Sequence, residues 1–478
     1  SDSVATATIT FPYGDSQTEA ASAHDLYWDT TVTVRPDKPV SVMLNPRGPI
    51  STKAPDSVTY YRSRFVTVDA DREIGLFRRD HGASIMLDGC AVWPVAWWDS
   101  LYFFHGNMHF GMANLVGSGD SYTVRMECSN EYNVGSYTHW WFRSPAGTVI
   151  DFVLPPGGTL EVFDQANDVH RNRYNHWSPG FANDRDLKPD GAGDSIVSSR
   201  PIWLSTIIMT QVFPGRRKNP GIRFHPYRSF YHPPHSHLGT EYVFVPFHKK
   251  GARTQEDLLR IMAYEDGTEL TLFDGTEPIR IDRAEHVDTL IAVPTVIRSD
   301  KPVALFQHHL DWEYLGTDTT YAGGCFPLLP PHVWGRRYYV VTDDLYQPNI
   351  DYHQLSGGGV QHVGPPVYEN LYLILVTKAD SRNGIRIDDR VVDPAAFTVF
   401  GAYAYAYVDM TPGYSVVSAD APFLTVVCGG GNAVPGYDTD FNRKFNMSWI
   451  PPFNDGTAIR PGDDRTRDRT DRRSDPKE

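Results

Sequence analysis

Residues 294–307, PTVIRSDKPVALFQ, set a β-branched run, a polar Ser-Asp-Lys turn and a proline in front of a second apolar run. Proline fixes φ and has no N–H to give to a ladder, so between two apolar strands it marks a bend or bulge. The same phrase recurs as TVTVRPDKPVSVML around Pro39, DSIVSSRPIWLSTI around Pro201 and YSVVSADAPFLTVV around Pro422. One bent strand is repeated along the chain, which points to tandem β units.

A second phrase accompanies it: RDHGASIMLDG at 79–89, SPAGTVIDFVLPPGG at 144–158, YEDGTELTLFDG at 264–275 and DSRNGIRIDDR at 380–390. Each reads as a hairpin whose Gly or Asn-Gly turn accepts φ above zero. Together the phrases define units of about 50–70 residues, the size of tandem β modules or propeller-like blades. Aromatics at 13%, with 26 Tyr and 11 Trp, suit pleated, half-buried surfaces, and 39 Gly and 36 Pro supply frequent turns. The expected fold class is therefore all-β, with repeated hairpin units forming two β domains of sandwich-like or propeller-like form.

At 478 residues the chain exceeds what one core usually fills. The predicted division is an N-terminal β domain at 1–212, a Pro/Arg/His-rich connection at 213–238, a second β domain at 239–452 and a charged tail at 453–478. The tail holds alternating Asp and Arg and no apolar residue beyond Ile459 except Pro, so it cannot bury a face of its own.

A net charge of −14 argues against a nucleic-acid binder, which needs a cationic surface to displace counterions. No run reaches the length that spans a bilayer as a helix, the richest, 92–104, being broken by Pro94, Asp99 and Ser100. The opening Ser-Asp-Ser-Val-Ala-Thr-Ala-Thr has no basic-then-apolar leader, as expected of a secreted chain after signal removal. Four cysteines, Cys90, Cys128, Cys325 and Cys428, lack close C-x-x-C spacing and read as structural disulfides, with three pairings open.

From Gly239 to Gly429 the sequence resembles the amino-terminal domain of IgGFc-binding proteins, a family of extracellular β modules. The resemblance runs in order through GTEYVFVPF (239–247), RIMAYEDGTELTLFDG (260–275), RSDKPVALFQ (298–307), the Cys325 to LPPHVWGRRYYVV segment (325–341), LILVTKAD (373–380) and SADAPFLTVV (418–427). The N-terminal half joins it only through its repeat phrases. The family carries a second cysteine near the end of the SDKPV strand, where this chain has Gln307, His308 and His309. That departure leaves the partner of Cys325 open, with Cys428 the first choice. What the resemblance implies is adhesion or matrix-like assembly rather than an active site.

Other constellations carry chemistry of their own. His235 and His237, two apart, would share one face of a strand and offer two nitrogens to zinc or copper, with Glu241 or His308 completing the set. Asp438, Asp440 and Asn442 begin like a calcium loop but lack its glycine and bidentate glutamate. Trp97, Trp98, Trp140 and Trp141 occur in adjacent pairs, so one of each pair points away from a strand's core face and could meet a glycan or a protein partner. Asn446 heads an N-x-S sequon. No catalytic triad, Walker loop or H-E-x-x-H is present. The expected function is non-enzymatic: an extracellular adhesive or structural subunit of a filament or sheath that acts through protein partners or self-assembly. A carbohydrate- or receptor-binding adhesin is the second expectation and a metal-dependent enzyme the third, with no resident cofactor assigned beyond calcium.

Overall fold

The computed structural model describes residues 3–11, 28–36, 38–40, 42, 61–62, 66–81, 87–105, 110–117, 120–128, 132–136, 139–144, 147–154, 158–164, 192–210, 228–248, 256–309, 325–342, 367–432 and 444–454. The protein is all-β: the described strands form sheets of ten, seven and nine strands, with a three-stranded sheet near the N-terminus and a separate hairpin. Alternation sets the sheet faces. In Tyr122–Cys128, Tyr122, Val124 and Met126 point inward while Thr123, Arg125 and Glu127 are exposed, the period of two that a half-buried strand requires. Asp257–Ala263 is buried on both faces, as a central strand covered from either side must be.

Each large sheet is organised around one long strand carrying the repeated proline phrase: Ser195–Thr210, Thr295–His308 and Tyr414–Asn432. All three bend where the proline sits. Register with the crossing neighbour shifts between Val197 and Ile202, between Arg298 and Val303, and between Ser418 and Phe423. One strand thereby pairs with different partners on either side of its bulge, as bulged strands do when a sheet curls. The fourth phrase differs: Arg35 and Lys38 form an isolated bridge, and the Tyr414 hydroxyl donates to the Pro36 carbonyl at 3.0 Å.

The hairpin phrases divide. Phe77–His81 pairs with Leu87–Ala91, and Arg386–Ile387 pairs with Arg390–Val391 through Asp388 and Asp389, both at positive φ. The other two phrases do not close on themselves. Thr148–Leu154 pairs back onto Tyr122–Cys128, and Thr268–Thr271 pairs with Ile279–Ile281 and with the bent strand, because long-range ladders decide the partner while the glycine turns only reverse the chain.

A second repeat, a corner, precedes each bent strand. A Pro leads into a 3₁₀ turn, Val95–Trp97, His235–His237 or Pro331–Val333, and a tyrosine follows five residues beyond the turn's last. The backbone N–H of Asp99, Gly239 or Gly335 donates at 3.0 Å to the hydroxyl of Tyr102, Tyr242 or Tyr338. Each hydroxyl in turn donates to the carbonyl just after the strand's proline: Ile202 at 3.0 Å, Val303 at 2.5 Å and Phe423 at 2.6 Å. Beside each bulge one tyrosine hydroxyl thus bonds two backbone groups, a donor and an acceptor, from the two strands.

The corners seat on one another. The His235 N–H donates to the Asp99 carboxylate at 3.0 Å, the Gly239 Cα lies against Pro330, and Gly335 lies against Phe453. Phe453 also packs edge-on to Trp93 of the first corner at 5.3 Å, closing the circuit. The three short strands that enter these corners, together with Lys444–Trp449, do the same: Leu87–Ala91 lies beside Arg228–Tyr231 and Lys444–Trp449, and Cys325–Pro327 lies beside both of those. One apolar core, from Cys90 and Trp93 to Ile450, fills this ring. A smaller cluster containing Phe103, Phe230, Met262, Phe306 and Cys325 joins the first and second sheets.

Candidate functional site: a buried histidine and cysteine cluster

The junction between the first two sheets brings three metal-ligating side chains together. His105 lies two residues beyond the strand Asp99–Phe103, His308 ends the second bent strand, and Cys325 begins the connecting strand Cys325–Pro327. His308 and Cys325 are register partners in an antiparallel ladder, so their side chains share a face. The chain before His105 is fixed by two backbone bonds, Phe104 N–H to Asp194 at 2.8 Å and Gly193 N–H to Phe104 at 2.9 Å.

The nitrogen Nε2 of His105 is 3.0 Å from Nε2 of His308, and Cys325 Sγ is 3.6 Å from the same His308 nitrogen. All three ligating atoms lie within 4.8 Å of one another, and the three residues are at most 1% exposed. Phe306 and Phe230 close the site on His105, their ring centres 4.4 and 5.0 Å from the imidazole. His232 is also buried nearby and shares a 2.8 Å hydrogen bond with Thr206 Oγ1. Burial pushes its imidazole down to about 3, so it stays neutral.

A buried arginine braces the cluster. Arg260 donates to the His105 carbonyl at 2.8 Å and binds Asp288 through two bonds of 2.8 and 2.7 Å. Burial works against the Asp288 carboxylate, but these bonds and the Arg260 charge hold it below its ordinary range, with His286 and His308 adding to the effect. Two imidazoles and a thiol in this setting can either hydrogen-bond among themselves or bind one first-row metal ion.

The residues expected from sequence are distributed differently. His235 and His237 lie in a 3₁₀ turn rather than a strand and do not converge: His237 bonds Ser236 and packs on Trp93 and Trp97, while His235 faces Tyr264. Glu241 is held by Arg298 and by the Tyr403 hydroxyl. Of that set only His308 enters the cluster. Cys90, Cys325 and Cys428 are buried thiols and are not joined in a disulfide; Cys325 and Cys428 belong to different sheets, and Cys325 turns toward His308 instead. Cys128 pairs through its backbone with Thr148.

Trp97 and Trp98 are half-buried at the first corner. Trp97 stacks on Trp93 and His237, and Trp98 packs on Trp203 and donates to the Trp93 carbonyl at 3.2 Å. Trp140 and Trp141 lie in the strand His139–Ser144, and Asn446 pairs with Gly430 in the ladder to the third bent strand; their side chains lie outside the described residues. Asp438, Asp440 and the tail beyond residue 454 also lie outside them.

The sequence carries a signal for His105 only in the comparison of its repeats. Aligning the corners on Tyr102, Tyr242 and Tyr338 places His105 where the others carry Val245 and Val341, and aligning the bent strands on their prolines places His308 where the others carry Ile207 and Cys428. Polar ligands replacing apolar residues at matched repeat positions are the mark of a local site.

The family model described as IgGFc binding protein matches residues 88–429, from the first connecting strand through the third bent strand. No curated protein matches the chain. The matched span takes in all three corners and all three bent strands, including the N-terminal corner that carried only repeat phrases in the sequence, and the chain belongs to the IgGFc-binding protein family.

Proposed function

We propose that this protein is a non-catalytic binding and assembly protein of the extracellular surface, and that it serves as a subunit of a filament or sheath. The observation that carries this reading is the closed circuit of corners, in which each corner seats on the next and Phe453 returns to Trp93. Such a ring fixes three sheets in one rigid frame, and a rigid frame keeps a broad binding surface pre-organised at low entropic cost. Family membership supports protein binding as the activity. Light scattering on the native, non-reduced protein tests the assembly role. A large polymer supports it; a monomer at 53.8 kDa over a wide concentration range rejects it.

A further inference from the structure

We propose that His105, His308 and Cys325 hold one zinc ion, which clamps the first sheet to the second. The donor set is two imidazole nitrogens and a thiolate, a combination that borderline-soft zinc accepts. Geometry agrees with this. For bonds of about 2.0–2.1 Å to nitrogen and about 2.3 Å to sulfur, tetrahedral ligands stand about 3.4 Å apart for two nitrogens and about 3.6 Å apart for nitrogen and sulfur. The observed separations are 3.0 Å between the two nitrogens and 3.6 Å between sulfur and the His308 nitrogen, and the third edge, from sulfur to the His105 nitrogen, is within 4.8 Å, so an ion enters once that edge closes by up to about an ångström.

The placement gives such an ion a purpose. His105 and His308 are 203 residues apart and come from different sheets, while Cys325 opens the strand that leads into the third corner. A metal bond here ties His105 to a distant pair, His308 and Cys325, which are themselves 17 residues apart, and the free energy of binding adds to that of folding. Binding displaces the thiol proton of Cys325, and the thiolate, the neutral imidazoles and the dication leave one net positive charge. The surrounding shell is already built, since Arg260 fixes the His105 carbonyl and is itself neutralised by Asp288. The three protein donors leave the fourth tetrahedral position to a water, and the burial of all three residues with Phe230 and Phe306 against His105 keeps that position away from a substrate, which favours a structural tie. The clamp is independent of what the outer surface of the protein binds.

The test is elemental analysis of the full chain purified without chelator, followed by cobalt titration of the stripped protein. The expected result is one equivalent of zinc and, with cobalt, a thiolate-to-metal charge-transfer band in the near ultraviolet. Cys325→Ser should abolish the band and lower zinc content at least tenfold, whereas Cys90→Ser and His237→Gln should leave both unchanged. His105→Gln, checked for folding by near-ultraviolet circular dichroism, should lower zinc affinity at least tenfold, with cobalt retained only weakly. The proposal is overturned if the folded, stripped wild-type protein takes up neither ion, if it carries copper and no zinc, or if Cys325→Ser keeps the band. The first outcome would leave a hydrogen-bonded imidazole pair beside a thiol.

Discussion

The Tyr338 hydroxyl donates to the Phe423 carbonyl at 2.6 Å, joining residues 85 apart, while accepting the Gly335 N–H at 3.0 Å. Replacing Tyr338 with Phe keeps the packing and removes both bonds, leaving a buried donor and a buried acceptor unsatisfied. A buried group left without its partner costs about 1–3 kcal/mol, so Tyr338→Phe should lose about 2–4 kcal/mol in urea unfolding. Tyr242→Phe should behave alike, because its corner has the same bonds. A loss below about 0.5 kcal/mol in both would show that water satisfies these groups and that the corner is incidental.

The same tyrosines set an alkaline limit. Burial pushes the Tyr102, Tyr242 and Tyr338 hydroxyls well above their ordinary range. The unfolded chain therefore releases these protons near pH 10, while the folded chain keeps them. Stability is fully present below about pH 10 and falls as pH rises further, by about 1.4 kcal/mol per pH unit for each such tyrosine. Tyrosinate absorbance should rise in two stages, exposed rings first and the corner rings together with loss of the fold. Titration of every tyrosine in one early, reversible stage with the fold intact would contradict this.

Gly335 is required by a close approach rather than by its backbone angle. A Cβ there would stand 2.6 Å from Phe453 Cδ2 and 2.8 Å from its Cβ, too near for any relaxed packing. Gly335→Ala should cost about 1–3 kcal/mol as an overpacking change. In combination with Phe453→Ala the added penalty should largely vanish, a coupling that a double-mutant cycle measures. Additive costs would place the strain elsewhere than in this contact.

How much of this was legible in the sequence follows from the kind of information each feature carries. The bent strands were readable at Pro201, Pro302 and Pro422, because a proline between apolar runs has few other meanings. The pairing of Thr148–Leu154 with Tyr122–Cys128 was not, since a glycine turn signals reversal without naming the partner strand. At the site, the sequence pattern points to His308 as a member of a metal set and to Cys325 as half of a disulfide, because nothing in it shows that the two are ladder partners. His105 was invisible because its neighbours are 203 residues away, and only the alignment of corner against corner shows that it stands in a valine's place. His235 and His237 drew attention by their spacing, yet that spacing serves a strand, and the preceding prolines favour a 3₁₀ turn in which they point apart.

The Arg260 side chain is 3% exposed, and the Asp288 carboxylate that it binds is 25% exposed. The third bond of Arg260 holds the His105 carbonyl. Replacing one partner of a buried ion pair strands the other charge, at a cost of about 3–5 kcal/mol, whereas replacing both by apolar groups of similar volume is often near neutral. Arg260→Met should therefore destabilise the protein by about 3–5 kcal/mol, and Arg260→Met with Asp288→Leu should recover much of that loss. The double variant still lacks the brace on His105, so it separates two roles: stability should return while metal affinity stays reduced about 10–100-fold, as for other lost outer-shell partners. Equal recovery of both would mean that the arginine serves only its own ion pair and leaves the position of His105 to the backbone bonds around Phe104.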